Sequence, residues 1–472
     1  MDIGLAHAAT TLESRFVDLD APVLLSGVQA LVRLLLEQAR LDRAAGHRTA
    51  ALVSGYRGSP LGGLDQELWR RQKLLSAHDI RFQPGVNEDL AATMLWGAQQ
   101  IDAFPGKKVE GVFGMWYGKG PGVDRSGDAL RCANMLGTSA LGGVLAVAGD
   151  DHGAQSSTYP HQTEQLFQGW MIPVLNPASA QDIIDFGLAG IALSRYSGLW
   201  VALKTTAETA EQAATIVIPG ERGFAHPDDQ RPADHPIGYD PGLSFPADRF
   251  TLERRVMMER LPAVAAWSRT NRLDRVVFGA ADAPIGLVTV GRAHMDTLHA
   301  LRRLGLDRHP QLALYKIGLT WPLETVGLRD FAGGKRALLV IEEKRSFVEA
   351  QIRDALYNLP ADQRPEIAGK TDASGAPLLS PLLELSPEAV GAALARFLSA
   401  AGLNVPEPPE YPRPERPAGL LRRIPAFCAG CPHGTSTRLP DGSFATAGIG
   451  CHFMALDHGD STRTFTHMGG EG

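Results

Sequence analysis

The stretch SGYRGSPLGG, residues 54–63, follows directly on TAALVS at 49–54, a short run of apolar and small residues that reads as a buried strand. Gly55, Gly58, Gly62 and Gly63 would let backbone approach a ligand closely. Ser59 offers a hydroxyl, and Arg57 a fork of donors suited to a carboxylate. A plain strand-to-helix turn would use the same residues. A phosphate loop is excluded, because the Gly-Lys-Ser/Thr ending is missing.

Working outward, 109–115, 142–148 and 198–203 read as further buried strands, each closed by glycine, polar or charged residues. Ser26 is placed to cap a helix with Val28, Leu31, Val32 and Leu35 on its apolar face. Strands alternating with such helices predict an α/β fold, a sheet covered on both faces, whose ligand sites lie beyond the carboxyl ends of the strands. From 208 to about 267 the period fades into Pro, Asp and Arg, including HPDDQRPADHP at 226–236, and the segment reads as a connector. A second α/β unit follows, with strands at 285–290, 312–317 and 337–341 and a helix over 294–304. NVPEPPEYPRPERP, 404–417, reads as an extended Pro-rich linker. The expected domains are 1–225, a connector 226–280, 281–403, a linker 404–419, and 420–472.

The chain has 472 residues, 44% of them hydrophobic and 21% charged, too many for one ordinary core. Its most apolar stretch, 24–36, is interrupted by Ser26, Gln29 and Arg33, so no membrane span is expected. Residues 1–15 lack a basic region followed by an apolar one, which leaves the cytoplasm as the expected compartment. A net charge of −6 argues against a nucleic-acid partner.

Three further segments could carry chemistry. In FQPGVNEDLAATMLWGAQQ, 82–100, Asn87 and Glu88 open a helix expected to carry Leu90, Met94, Leu95 and Ala98 on its apolar side; a lone glutamate there usually only complements the helix dipole. GMWYGKGPGVDRSGDALR, 114–131, and VLAVAGDDHGAQSSTYPHQTEQ, 144–165, present Lys119, Asp150, Asp151, Ser156 and Ser157. GDDHG lacks a second ligand pair and suits a turn better than a metal; His152 and His161 read as surface or hydrogen-bonded residues. FCAGCPHGTSTR, 427–438, and AGIGCHFMA, 447–455, supply Cys428, Cys431 and Cys451. Spacing alone leaves open zinc with His433 or His452, an iron–sulfur cluster, and plain buried thiols. Cys132, placed after a presumed helix, is not assigned.

Taken in order, the Tyr-Arg-Gly-Ser-Pro loop, Asn87-Glu88, the Lys-Gly and Asp-Asp-x-x-x-x-Ser-Ser segments and Cys-x-Gly-Cys-Pro-His followed by Gly-Ile-Gly-Cys resemble the indolepyruvate branch of the thiamine-diphosphate-dependent 2-oxoacid:ferredoxin oxidoreductases. The resemblance implies a thiamine-diphosphate-binding fold: a pyrimidine-type domain, a transketolase C-terminal-like domain with Glu342-Glu343 after a strand, and the start of a diphosphate-type domain. It implies oxidative decarboxylation of a 2-oxoacid, an arylpyruvate such as indolepyruvate, to acyl-CoA with ferredoxin as electron acceptor. Glu88 would hydrogen-bond the aminopyrimidine, which requires it to hold its proton near neutral pH, a state favoured by burial. Arg57 and Ser59 would face the substrate carboxylate. Tyr56, Gly58, Pro60, Asn87, Lys119 and His433 would line the cofactor, and Cys428, Cys431 and Cys451 would hold a [4Fe-4S] cluster whose fourth ligand is unidentified.

The Gly-Asp-Gly motif that holds Mg2+ and the diphosphate in such enzymes is missing, and Glu471 in THMGGEG, 466–472, is not read as its replacement. The chain is therefore expected to be a fragment or subunit, inactive alone, that assembles as a homodimer with the enzyme's remaining domains or subunits. A non-redox enzyme of transketolase type and a silent scaffold subunit are the alternatives.

Overall fold

Runs such as VLAVAGD, apolar without alternation, suit strands buried on both faces. The computed structural model, which describes residues 12–227, 235–244, 246–406, 417, 419–421, 424–448, 450–459 and 461–466, uses them so. Most of the expected linker 404–419, part of 226–236, and Glu471 lie outside those residues. The chain divides into two compact units, Met1–Pro409 and Glu410–Gly472.

The first unit begins with β1 (Pro22–Ser26), followed by β2 (Thr49–Gly55), β3 (Ile80–Phe82), β4 (Gly111–Lys119), β5 (Val144–Asp150), β6 (Val174–Leu175), β7 (Val201–Thr206) and β8 (Ala213–Val217). β1 and β8 form an antiparallel pair. Next come β9 (Arg275–Phe278), β10 (Ile285–Val290), β11 (Leu312–Ile317), β12 (Leu319–Trp321), β13 (Ala337–Ile341) and β14 (Glu366–Ala368). They build a seven-stranded sheet, β12-β6-β7-β5-β4-β2-β3, and a five-stranded one, β14-β13-β10-β11-β9. All pairings within the two are parallel except β12 with β6 and β9 with β11.

Period-two alternation splits the first sheet's core. Leu145 and Val147 pack with Leu31, Leu35, Ile183 and Ile184 on one face, while Ala146, Ala148 and Trp116 pack with Ala91, Leu95 and Leu130 on the other. Ser26 caps the helix Gly27–Ala44 in a reciprocal box with Gln29, and Val28, Leu31, Val32 and Leu35 are buried as their spacing predicts. Among the described residues no helix is long and apolar enough to cross a membrane.

The segment expected to be a connector is largely packed structure. Besides β8, it forms helices Arg249–Arg255 and Leu261–Thr270 around a π-helical turn, and Val256, Val264 and Trp267 enter the first core. Arg260, fully buried, donates to the carbonyls of Ile237, Gly238 and Met135 at 2.6, 2.8 and 3.0 Å. Proline and charge hid a helical period whose anchor is a buried arginine satisfied by backbone.

The two sheets are tied where the chain leaves β11 and one residue later enters β12, the edge of the other sheet. Asp274 holds that crossing by accepting the N–H groups of Gly318 and Leu319 at 2.8 and 2.9 Å. Beside it Lys316 meets Asp182 at 2.5 Å. Burial pushes the Asp274 carboxyl up to about 7, against the pull of its two N–H donors. Its unfolded value is about 3.9, so its contribution to stability is complete below that pH and is lost as pH rises towards 7. Asp274→Asn keeps an oxygen acceptor and removes the charge. Its melting temperature relative to the parent should therefore climb from pH 4 to pH 8; a difference independent of pH would contradict a buried, proton-holding Asp274.

The second unit pairs β15 (Ala445–Ala447) in parallel with β16 (Thr462–Phe465), beside a four-residue helix His433–Ser436 and a 3-10 helix Cys451–Asp457.

Candidate functional site

The strands run further than their sequence suggests. β4 continues through Gly-Lys to Lys119 and β5 through Gly-Asp to Asp150, so both charged residues end buried parallel strands. β4 lies between β2 and β5, with Gly55 opposite Tyr117 and Lys119 opposite Gly149. The loop after β2 can lie down on these ends because side chains are missing there. A Cβ on Gly58 would fall 2.8 Å from Lys119 Cδ, and one on Gly149 would fall 3.1 Å from Pro60 Cδ. Tyr117, buried, donates its hydroxyl to Asp65 Oδ1 at 2.6 Å. Burial, then Asp65, pushes its phenol upward, and the nearby Arg57 charge opposes them. Tyr56 and Arg57 are exposed, Ser59 is half-buried and Pro60 is buried.

Asn87 caps the helix Glu88–Ala98, its side chain accepting from Leu90 N at 2.8 Å. That backbone role accounts for the asparagine. Trp116 of β4, fully buried, donates its indole N–H to the Glu88 carbonyl at 2.9 Å and fixes the helix start. The Glu88 side chain is half-buried against two glycines: a Cβ on Gly122 would lie 2.5 Å from Oε1, and one on Gly118 would lie 3.4 Å from Cγ. The expected apolar side of this helix needs correction. Ala91, Ala92 and Leu95 are buried, whereas Leu90 and Met94 are 51% and 37% exposed and Ala98 is half-buried. At 100° per residue, positions 88, 91, 92 and 95 share one face, and 90 and 94 lie opposite. Turning Glu88 towards β4 sends the two large side chains outward.

Beyond β5, Asp151 accepts the N–H groups of Gln155 and Ser156 at 2.9 and 2.8 Å. Burial would raise its carboxyl, but these bonds and the hydroxyls of Ser157 and Ser156 hold it below the usual range. Asp151, Ser156 and Ser157 therefore make a turn. Asp150, buried, accepts from Thr163 N and Oγ1 at 3.0 and 3.1 Å and lies 3.4 Å from Lys204. Lys204, inside β7, meets Glu164 at 2.5 Å; burial would lower its ammonium, and the two carboxylates keep it raised instead. His152 is buried, with Nδ1 2.8 Å from Glu343 Oε2. His161 packs on Gly120, where a Cβ would meet its ring at 2.3 Å, and its Nε2 is 3.6 Å from Asp124. Lys204, Glu164 and the role of Glu343 were missed in the sequence, where the lysine inside the otherwise buried strand VALKTT was the available signal.

In the second unit Cys428 and Cys451 are exposed, and the Cys431 thiol lies 3.2 Å from His433 Nδ1. His433 also stacks on Phe427, and His452 Nδ1 accepts from Gly448 N at 2.8 Å. No group of three or more His, Cys, Asp or Glu among the described residues is arranged to hold a metal ion. Cys428, Cys431 and Cys451 are not gathered into such a group. Cys132 lies within the helix Gly127–Leu136 rather than after it.

The structure thus gathers Tyr56, Arg57, Gly58, Ser59, Pro60, Asn87, Glu88 and Lys119 around the ends of β2 and β4, while His433 and the clustered cysteines belong to the second unit. Residues 275–407, the five-stranded sheet and its helices, match the family described as Indolepyruvate oxidoreductase domain. The chain is 25% identical over 395 residues to indolepyruvate oxidoreductase subunit IorA of Methanothermobacter marburgensis, covering 83% of this chain and 57% of that one. It is 24% identical over 420 residues to the Pyrococcus abyssi subunit of the same name, covering 87% and 58%. Over most of its length the chain is similar to these indolepyruvate oxidoreductase subunits, and residues 275–407 match that family's domain. It spans somewhat over half the length of these relatives. A 2-oxoglutarate:ferredoxin oxidoreductase from Magnetococcus marinus, solved with 2-oxoglutarate, coenzyme A and succinyl-CoA bound, superposes with a TM-score of 0.55 at 15% identity, over 81% of this chain and 65% of that one. The chain shares that α/β fold, of the thiamine-diphosphate type.

The wall beneath Glu88 is open to a direct test. Gly122→Ala should displace the carboxylate while the flexible side chain absorbs the clash, so the melting temperature stays within about 4 °C of the parent. A crystal structure of the variant with Glu88 unmoved would contradict the close approach.

Proposed function

We propose that this chain supplies the pyrimidine-activating part of a thiamine-diphosphate-dependent 2-oxoacid oxidoreductase. The complete enzyme would convert a 2-oxoacid, coenzyme A and oxidised ferredoxin into acyl-CoA, carbon dioxide and reduced ferredoxin, the substrate being an arylpyruvate such as indolepyruvate. The observation that carries the reading is the Glu88 carboxylate, held on a helix start at the end of β4 against the bare backbones of Gly118 and Gly122. Likeness to the indolepyruvate oxidoreductase subunits and the shared fold support the reaction class.

Thiamine diphosphate, when bound, supplies the carbon nucleophile and the electron sink. Glu88 would donate a hydrogen bond to the aminopyrimidine, with Trp116 fixing its backbone. Lys119 and the loop of Tyr56, Gly58 and Pro60 would wall the ring, and Asn87 would act through the helix cap. Arg57, exposed at the loop tip, and Ser59 would bind the substrate carboxylate. Val86, before the helix start, and Leu90 and Met94, on the helix face opposite Glu88, are 82%, 51% and 37% exposed and support a cover from the enzyme's remaining domains or subunits, or from a second copy in a homodimer. Diphosphate and Mg2+ would be held by that remainder. The redox half of the reaction rests on the likeness to the family alone.

Glu88→Gln in the complete enzyme should lower kcat by roughly 100-fold or more, the scale of a general acid–base contribution, while the variant still folds. Normal turnover would remove Glu88 from the role.

A further inference from the structure

The acidic pair that ends β13 divides its work between two directions. Glu342 turns into its own sheet, where its carboxylate accepts the N–H groups of Phe347, Val348 and Glu349 at 3.0, 2.9 and 2.9 Å and anchors the start of the helix Val348–Tyr357. Burial pushes its carboxyl up to about 7 despite those donors. Glu343 turns towards the other sheet. Its Oε2 lies 2.8 Å from His152 Nδ1, with side-chain exposures of 7% and 1%, while Oε1 accepts from Leu385 N at 3.1 Å. Burial would raise Glu343, but His152, Lys204 and the Leu385 N–H outweigh it and hold it down to about 2.

Glu343 is one of several grips on the segment between β5 and the helix Glu164–Gly169. Lys344 Nζ donates to the His152 carbonyl at 3.1 Å, and the side chain of Gln162 accepts from Arg345 N at 3.2 Å. A Cβ on Gly153 would fall 2.1 Å from Glu384 Oε2. Held from the five-stranded sheet, the segment carries His161 onto Gly120, the first residue of the helix Gly120–Arg125. Two residues on, Gly122 backs the Glu88 carboxylate. A continuous set of contacts runs from the end of β13 to the candidate site.

We propose that Glu343 is a positioning residue for the Glu88 site, holding segment 151–163 through His152 so that His161 and the Gly120–Gly122 turn keep the Glu88 carboxylate in place. The inference rests on the function proposed above and gives the five-stranded sheet a part in it. The physical cause is the cost of a buried polar group left without its partner: once Glu343 is truncated, His152 gains by moving to find another.

The test compares Glu343→Ala, Glu343→Gln, His152→Ala and the Glu343→Ala/His152→Ala double variant in the complete enzyme, with hydrogen exchange of 151–163 measured in each. Glu343→Ala should lose about 100-fold in kcat, the scale of a misplacement near 1 Å, with KM for the 2-oxoacid within about threefold because orientation rather than binding is lost. Glu343→Gln keeps an acceptor for His152 and should recover most of the rate. The double variant should be no slower than the slower single variant, since the two residues act through one contact. Amides of 151–163 should exchange faster in the alanine variants than in Glu343→Gln. Multiplying effects, equal rates for Ala and Gln, or unchanged exchange would overturn the inference. Should Glu343→Ala not fold, His152→Ala must show the same loss of kcat and of protection, and a normal His152→Ala overturns it. Normal kcat in Glu343→Ala with an inactive Glu88→Gln overturns this inference alone; a fully active Glu88→Gln overturns the functional reading beneath it.

Discussion

The candidate site depends on a hydrogen bond from the Trp116 indole to the carbonyl of Glu88. A tryptophan buried in the middle of a parallel sheet must place its N–H on a partner, because an unpaired donor there costs about 1–3 kcal/mol. Spending that donor on the first residue of a helix pins a carboxylate-bearing turn to a strand end. Gly118 and Gly122 then become requirements of the geometry, since any side chain at either would meet Glu88 or Trp116. The outward turn of Leu90 and Met94 follows from the same constraint.

Buried charge is used throughout as a means of tying elements together. Asp274 joins β11 to β12, Arg260 gathers the carbonyls of Met135 and of Ile237 and Gly238 from two segments, and Glu343 reaches His152 from the other sheet. Arg260 is satisfied by backbone and Glu343 by His152 and the Leu385 N–H, which is the condition under which a buried charge is tolerated. Glu342 and Glu343 show how local the outcome is. Consecutive in the turn after β13, they meet different partners, and their carboxyls are driven in opposite directions, to about 7 and about 2.

The strands at 285–290, 312–317 and 337–341 were legible in the sequence to the residue, because uninterrupted β-rich runs bounded by turn residues have few competing readings. The ends of β4 and β5 were not. Gly118-Lys119 and Gly149-Asp150 carry turn-forming chemistry, and only the neighbouring strands keep them extended. Asn87-Glu88 was placed at a helix start by its capping pattern, whereas the helix's rotation depends on Trp116, far away in sequence. His152, His161, Lys204 and Glu343 were illegible as a group because they lie on three segments far apart in sequence. The cysteine spacing was legible, and the structure places Cys431 beside His433 while Cys428 and Cys451 are exposed.

The central claim is that Glu88 meets the aminopyrimidine of thiamine diphosphate at the end of β4. A structure of the complete enzyme with thiamine diphosphate and Mg2+ bound, by electron cryomicroscopy or crystallography, tests it most directly. The account predicts the pyrimidine ring against the Gly118–Gly122 backbone, with a ring nitrogen within about 3 Å of a Glu88 oxygen, the ordinary hydrogen-bond range. A cofactor bound elsewhere, or a ring whose nitrogens find other partners while Glu88 faces solvent, would contradict it.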